Sequence, residues 1–369
     1  MTATTPAAAK RNTSISICKG LAIILMVMGH TEGPHLLVNF IYLFHMPLFF
    51  ITAGYFFGKR HAAQPWEFCV KRFKGLYVPF VKWSVFFLII HNLLFKVGIL
   101  NEMYGNWNGG VTHPYTLRVM LQRLVTIVTG MGGYDEFLAG AFWFFRALLV
   151  VSIVFLILYR ALDGRRRWLT TDTALGIIAA GALAFALVKI EFGLKITTLV
   201  QGGIRECWGM FFFAFGVFYR RHEARFRQHW ALTATYAALL IGGSALSLHG
   251  MNLTPKPYDV ATLPVTGIIG FLMTHHIATV IDRHPGRLRS LLCYCGDNTL
   301  YVFVFHICAF KVVSAIKIMV YGLDWHQIGT HMVVHLNSDT DGFFLLYTIA
   351  GTALPLLCHR LYRRLAARH

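Results

Sequence analysis

The sequence is 369 residues long, with 56% hydrophobic residues, 14% charged residues and a mean hydropathy of +0.56. This composition excludes an ordinary soluble domain and defines a polytopic membrane protein. The formal net charge of +18 does not indicate a nucleic-acid partner, because the basic residues sit in short clusters between apolar runs and form no continuous basic face.

Lys10 and Arg11 precede the first apolar run and imitate a signal peptide, but no small-x-small cleavage site follows, so this run is read as a retained helix. About 20 apolar residues cross a hydrocarbon layer of about 30 Å. On that basis spans fall at residues 15–34, 38–58, 77–97, 141–160, 172–190, 205–220, 230–249, 260–281, 291–311 and 342–361. The fold class is therefore all-α, a helical bundle of about ten transmembrane helices. Residues 117–130 are interrupted by Arg118, Gln122 and Arg123 and read as interfacial or re-entrant. The organisation is a tail at 1–14, one membrane domain at 15–361 and a tail at 362–369. Seven cysteines lie mostly within or beside the apolar runs, and their number is odd. A disulfide framework is not expected, and Cys293-x-Cys295 alone lacks metal-site spacing.

Most of the 34 Lys and Arg residues fall on one side when both termini are placed in the cytoplasm. The inner clusters are Lys59–Lys74, Arg160–Arg167, Arg220–Arg227, Arg283–Arg289 and Arg360–Arg368. Cytoplasmic loops carry such an excess of positive charge, which fixes the expected orientation. Lys189, Lys195, Lys311 and Lys317 are assigned to outer loops or outer helix ends. The outer connections at 101–116 and 321–341 are longer and richer in Gly, Trp, His and Asn, a surface suited to a large acceptor or an ordinary interfacial aromatic belt.

An ionisable side chain at membrane depth needs a partner, a wet cavity or a function. Lys19 and His30 are eleven residues apart, three helical turns plus roughly 20°, and so share one face about 16 Å apart along the axis. That spacing suits a helix lining a passage, with a cation at the inner mouth and a base deeper in. Snorkelling explains Lys19 equally well, and a packing histidine is the alternative for His30. Glu32 is placed to orient or pair with His30, or else belongs to the outer loop. His45 precedes Met46-Pro47, where the proline frees a carbonyl one turn earlier and a kink beside a polar pocket is expected. Arg72 stands at the inner entry of the third span, where a guanidinium can take phosphate in paired hydrogen bonds or simply signal topology. Arg146 and the Arg205-Glu206 pair enter the apolar runs as a structural ion pair or as site residues, and His306 is an intramembrane histidine with no assigned partner.

The chain has no His-x4-Asp, no Gly-x-Ser-x-Gly nucleophile elbow and no P-loop. His331-x3-His335 has the spacing of two ligands on a helix face but lacks the glutamate of a zinc hydrolase, so no metal is expected. Taken together, Lys19-x10-His30, Phe44-His45-Met46-Pro47-Leu48-Phe49-Phe50 with the following Ala53-Gly54-Tyr55, Arg72-x3-Leu76-x2-Pro79-Phe80 and Trp143-Phe144-Phe145-Arg146 resemble acyltransferase family 3. These are integral membrane O-acyltransferases that include proteins similar to fucose 4-O-acetylase and polysaccharide O-acetyltransferases. The likeness is concentrated in the first 80 residues, with Gly296-Asp297-Asn298 and the helix count extending it. Where Ala53 stands, the family often has Ser, and no chemistry is assigned to Ala53.

The resemblance implies acetyl-CoA as a cytoplasmic donor and a sugar hydroxyl of an envelope, lipid-linked or exported polysaccharide as acceptor. It implies Lys19, Arg72 and Arg146 on the donor and His30, Glu32 and His45 in catalysis, with His30 as general base. A glycan or lipid-linked saccharide, membrane lipid and other polysaccharide assembly proteins are the implied partners, and the bacterial inner membrane the implied location. A proton-coupled transporter or flippase using the same Lys19, His30 and His45 is the rival reading.

Overall fold

The computed structural model describes residues 12–31, 33–105, 113–197, 199–251, 254–336 and 341–367; Glu32 and residues 1–11 of the expected N-terminal tail lie outside the described residues. All regular structure among the described residues is helical. In chain order the helices are α1 (Thr13–Gly29), α2 (His35–Tyr42), α3 (His45–Tyr55), α4 (Lys59–Ala63), α5 (Pro65–Arg72), α6 (Val78–Lys96), α7 (Leu117–Gly130) and α8 (Glu136–Ala139). There follow α9 (Trp143–Leu162), α10 (Thr171–Glu191), α11 (Ile204–His222), α12 (Trp230–Ala245), α13 (Asp259–Arg283), α14 (Arg287–Asp297), α15 (Thr299–Tyr321) and α16 (Phe343–Ala366).

Every predicted span coincides with helix, and seven helical segments among the described residues are long and apolar enough to cross a membrane. Of the remaining predicted spans, α1 has 17 residues, α12 has 16, and α11 carries Arg205, Glu206, Arg220 and Arg221. Arg220 and Arg221 are exposed in its last turn, and Arg205 is partly buried. Glu206 is buried, and α11 packs against α3, α9 and α10. The expected interfacial segment is α7, a 14-residue helix N-capped by the Thr116 side chain, and its Arg123 donates to the carbonyls of Gly133 and Tyr134.

Two boundaries differ from the sequence reading. The span expected at 38–58 breaks after Tyr42, because Pro47 falls in the first turn of α3, where an amide has no intrahelical acceptor anyway. The carbonyl of Leu43, which Pro47 cannot bond, accepts from the Thr266 hydroxyl at 3.4 Å. The span expected at 291–311 is interrupted at Asn298, and the crossing helix is α15, displaced toward the C-terminus. Asn298 ends α14 by returning its side-chain and backbone N–H groups to the Tyr294 carbonyl. The lysines assigned to outer loops also have structural roles. Lys311 donates to the carbonyls of Ile328 and Thr330, Lys189 to those of Leu194 and Gly202, and Lys317 pairs with Asp341 at 2.5 Å. Lys189 and Lys317 are buried, Lys311 is partly buried, and each ties a loop to the bundle.

The first helix lies at the centre, in contact with α3, α13, α14, α15 and α16, and its apolar residues are distributed around its circumference, as expected of a helix buried on all sides. Close approach to α14 depends on two glycines. A Cβ on Gly20 would lie 2.2 Å from the Leu292 carbonyl oxygen. One on Gly296 would meet the Ser16 carbonyl oxygen at 1.7 Å. Where backbones pack this closely, small residues are the means.

Candidate active site

The N-terminal end of α1 is tied down among basic and acidic groups. The Thr13 hydroxyl donates to Asp282, which also pairs with Arg289, and the Ser16 hydroxyl donates to Asp297. Nearby, α4 carries Lys59 and Arg60 and the ends of α9 and α11 carry Arg160 and Arg220, with Arg160 bonded to the Ala62 carbonyl and Arg220 to that of Tyr55. This is the basic end of the bundle. The last helix returns to it, since His359 stacks on Tyr301 at 3.6 Å between ring centroids.

At the opposite end, His30 caps α1 and faces a cavity of about 310 Å³ with His45, Tyr42, Tyr134, Gln201 and Arg205. The ring of His30 lies nearly parallel to that of His306, with Nδ1 of His30 3.0 Å from Nε2 of His306. Nδ1 of His306 stands 3.1 Å from the Val302 carbonyl and 2.9 Å from that of Phe303. Carbonyl oxygens only accept, so Nδ1 of His306 carries the proton and its Nε2 is the acceptor in the neutral ring. Nδ1–H of His30 therefore donates, and Nε2 of His30 is left with a free lone pair. His45 has the same polarity, because its Nδ1–H donates to the Ile41 carbonyl at 2.9 Å. Three imidazoles line this cavity, those of His30, His45 and His331, and the first two have Nδ1 committed and Nε2 in the basic form.

Arg205 lies with its guanidinium 4.0 Å from the centre of the Trp143 ring and donates to the Met251 carbonyl and to Gln201. Gln201 holds a left-handed backbone, φ 62°, and Met332 on the same cavity has φ 57°. Backbone strain at non-glycine residues collects where function over-determines the structure. Among the described residues no group of three or more His, Cys, Asp or Glu is arranged to hold a metal ion.

A second cavity, of about 290 Å³, lies on the basic side of the first and includes Lys19, Ile23, Thr52, Ala53, Leu76 and Thr299. Met26 and Met46 line both cavities and separate them. The chain reaches this wall through a π-helical turn at Phe73–Tyr77, which joins α5 to α6 and brings Gly75 and Leu76 to the cavity. Single π turns inside helices recur at functional sites.

The predicted site residues therefore divide. Lys19 lines the basic-side cavity, while His30 and His45 share the far one. Arg72 stands behind Ala53, donating to its carbonyl at 3.4 Å, with its guanidinium over the rings of Phe68 and Phe213. Arg146 is buried in an ion pair with Glu206, Nε to Oε1 3.3 Å, and its Nη1 and Nη2 have no hydrogen-bond partner among the described residues. Glu32 lies outside the described residues. The motif Trp143-Phe144-Phe145-Arg146 joins the parts: Trp143 faces the far cavity, Phe144 and Phe145 the near one, and Arg146 the ion pair. His306 and Arg205 were legible in the sequence only as ionisable residues in apolar surroundings. Gln201 gave no signal beyond the Gly202-Gly203 that follows it.

Fold and site together define a polytopic helical membrane protein with a histidine-lined cavity facing a separate basic-side cavity. The family model for the acyltransferase domain of type 3 matches residues 12–360, and the chain belongs to acyltransferase family 3. No curated protein and no solved structure matches the chain. Family membership favours a membrane acyltransferase over transport alone.

Proposed function

We propose that the protein moves an acetyl group from acetyl-CoA, bound from the basic end, to a sugar hydroxyl of an envelope, lipid-linked or exported polysaccharide at the far cavity. The observation that carries this reading is the pair of cavities along α1, with Lys19 in one and a tautomerically fixed His30 in the other. By the excess of positive charge, the basic end is the cytoplasmic face, and both the first and the last helix begin or end there. The membrane is the bacterial inner membrane on this reading.

The donor's phosphates meet a concentration of cations. Lys59, Arg60, Lys71 and Arg220 surround a recess of about 430 Å³ at this end, close to the helix that carries Arg72. Burial, then the fields of Arg72, Lys71, Arg220 and Arg60, holds the His61 imidazole below its ordinary value, while Glu67 on the same recess pairs with Lys71. The thioester then extends along α1 past Lys19.

In the transfer step, Nε2 of His30 takes the acceptor hydroxyl proton as the oxygen attacks the thioester carbonyl. The imidazolium that forms keeps its Nδ1–H on His306, which spreads the new charge over a second ring. Arg205, with Tyr134 and Gln201, supplies the donors of the far cavity for the sugar or the developing oxyanion. His45 presents a second basic nitrogen to the same space. Replacing His30 with Ala in a folded, membrane-inserted protein is expected to lower acetyl transfer about 10²- to 10⁴-fold, the usual contribution of a general base. Release of free CoA and mass spectrometry of the glycan measure it; transfer at the wild-type rate would overturn the assignment.

A further inference from the structure

Two cavities approached from opposite ends must be joined for an acyl group to pass, and they meet at two side chains, Met26 and Met46. On α1, Met26 lies about 10 Å beyond Lys19 and about 6 Å short of His30 at 1.5 Å per residue. Met46 projects from the first turn of α3, directly after His45. Around them the near cavity is apolar and aromatic. Phe49 and Phe144 stand 5.8 Å apart between ring centroids, and Phe144 and Phe303 stand 5.9 Å apart. Polar groups lie on either side of this belt, Lys19 and Thr52 below it and His30, His45 and Tyr42 above.

From this arrangement we infer that Met26 and Met46 form an acyl gate, a narrow apolar constriction that admits the donor's acyl carbons toward His30 and sets the longest acyl chain transferred. The inference rests on the acetyl-CoA reading above and adds the determinant of acyl size. Methionine suits the position, because its unbranched thioether turns through three bonds and repacks around a small guest at low cost. In the step the gate serves, the bond between the acyl carbonyl carbon and sulfur breaks as that carbon joins the acceptor oxygen. The hydroxyl proton, held on His30, passes to the departing CoA sulfur, so the products are the acyl ester and free thiol.

The test uses full-length protein in membrane vesicles that contain the source cell's own glycan acceptor, supplied with acetyl-CoA or hexanoyl-CoA at the basic end. Wild type, Met46→Val and the double variant Met26→Ala/Met46→Ala are compared by mass spectrometry of the glycan. A pocket that gains or loses a methylene discriminates by roughly 10- to 200-fold, so the double variant should raise the ratio of hexanoyl to acetyl transfer by about tenfold or more. The single variant should move the same ratio in the same direction by a smaller step, and decides the matter if the double variant does not insert. A ratio within about twofold of wild type, in variants that still transfer acetyl, would overturn the gate and leave the acyltransfer reading intact. If wild type transfers no acyl group from either donor, the acyltransfer reading falls and the gate falls with it.

Discussion

Nδ1 of His30 stands 3.0 Å from Nε2 of His306, whose own Nδ1–H is committed to the carbonyls of Val302 and Phe303. The pair fixes the tautomer of His30 and leaves its Nε2 lone pair toward the cavity; if His30 is the general base proposed above, His306 acts through it as a positioning residue. His306→Ala is expected to lower the turnover of acetyl transfer by roughly 10- to 100-fold, by analogy with the loss seen when a partner that orients a metal-bound histidine is removed. On the proposed reading, in which the donor binds from the basic end, the Michaelis constant for acetyl-CoA should hardly change. His306→Gln, which offers a carbonyl oxygen in place of Nε2, should recover part of the lost rate. If Gln recovers none while both variants unfold at the same temperature, the tautomer argument is wrong.

Arg146 and Glu206 offer a decision between an ion pair that only holds α9 to α11 and a cation that also serves the reaction. Both side chains are buried, so removing one leaves the other without a counter-charge, which costs about 3–5 kcal/mol. Arg146→Met and Glu206→Leu alone should each lower the unfolding temperature of the detergent-solubilised protein sharply. The double variant should recover most of it, because a well-packed apolar pair often replaces a buried ion pair without loss. If the unpartnered Nη1 and Nη2 contact substrate, the double variant folds but transfers acetyl poorly. Wild-type transfer by a stable double variant would assign Arg146 to the fold alone.

The helical class, the placing of the helices and the shared face of Lys19 and His30 were legible because each depends on local composition and periodicity. The pairing of His30 with His306 was not, since it joins residues 276 apart in the chain. Arg205 was hidden for a similar reason: its setting comes from Trp143, Gln201 and Met251. Pro47 was rightly read as a disturbance beside a pocket, but its neighbour Thr266, on α13, was beyond reach of the sequence. The break at Asn298 was missed because the flanking runs are apolar on both sides, although Gly296-Asp297-Asn298 is the kind of polar punctuation that ends a helix. The partners of Lys311 and Lys317, the Ile328 and Thr330 carbonyls and Asp341, were likewise beyond the charge count, which places lysines on a side but does not say what they bind.

The glycine contacts that seat α3 against α11 give a stability prediction. A Cβ on Gly54 would lie 2.1 Å from the Phe213 carbonyl oxygen, and one on Gly216 would lie 2.1 Å from that of Ile51. Gly54→Ala and Gly216→Ala must push the helices apart, and overpacking of this kind typically costs about 1–3 kcal/mol. The displacement also moves His45 and Met46 at the other end of α3, so acetyl transfer should fall with stability. Gly242→Ala on α12, where an added Cβ meets nothing within 4 Å, is the control. It should leave the unfolding temperature unchanged or raise it, because Ala favours helix over Gly by about 1 kcal/mol.

Arg72 sits at the join of α5 and the π turn with its guanidinium over Phe68 and Phe213 and one N–H on the Ala53 carbonyl. That setting holds a planar cation beside the near cavity, and it separates two roles that alanine alone would confuse. If the positive charge draws the CoA phosphates, Arg72→Ala should weaken acetyl-CoA binding by about tenfold, the value of a charge-assisted hydrogen bond of roughly 1.5 kcal/mol. Arg72→Lys should then retain much of the affinity. If planar stacking positions the wall instead, Lys should behave like Ala, because an ammonium cannot reproduce the flat, forked guanidinium. Calorimetric titration of the detergent-solubilised protein with acetyl-CoA at two salt concentrations checks both points, since a phosphate contact weakens as ionic strength rises. Donor affinity unchanged in Arg72→Ala, at either salt concentration, would remove Arg72 from the donor site.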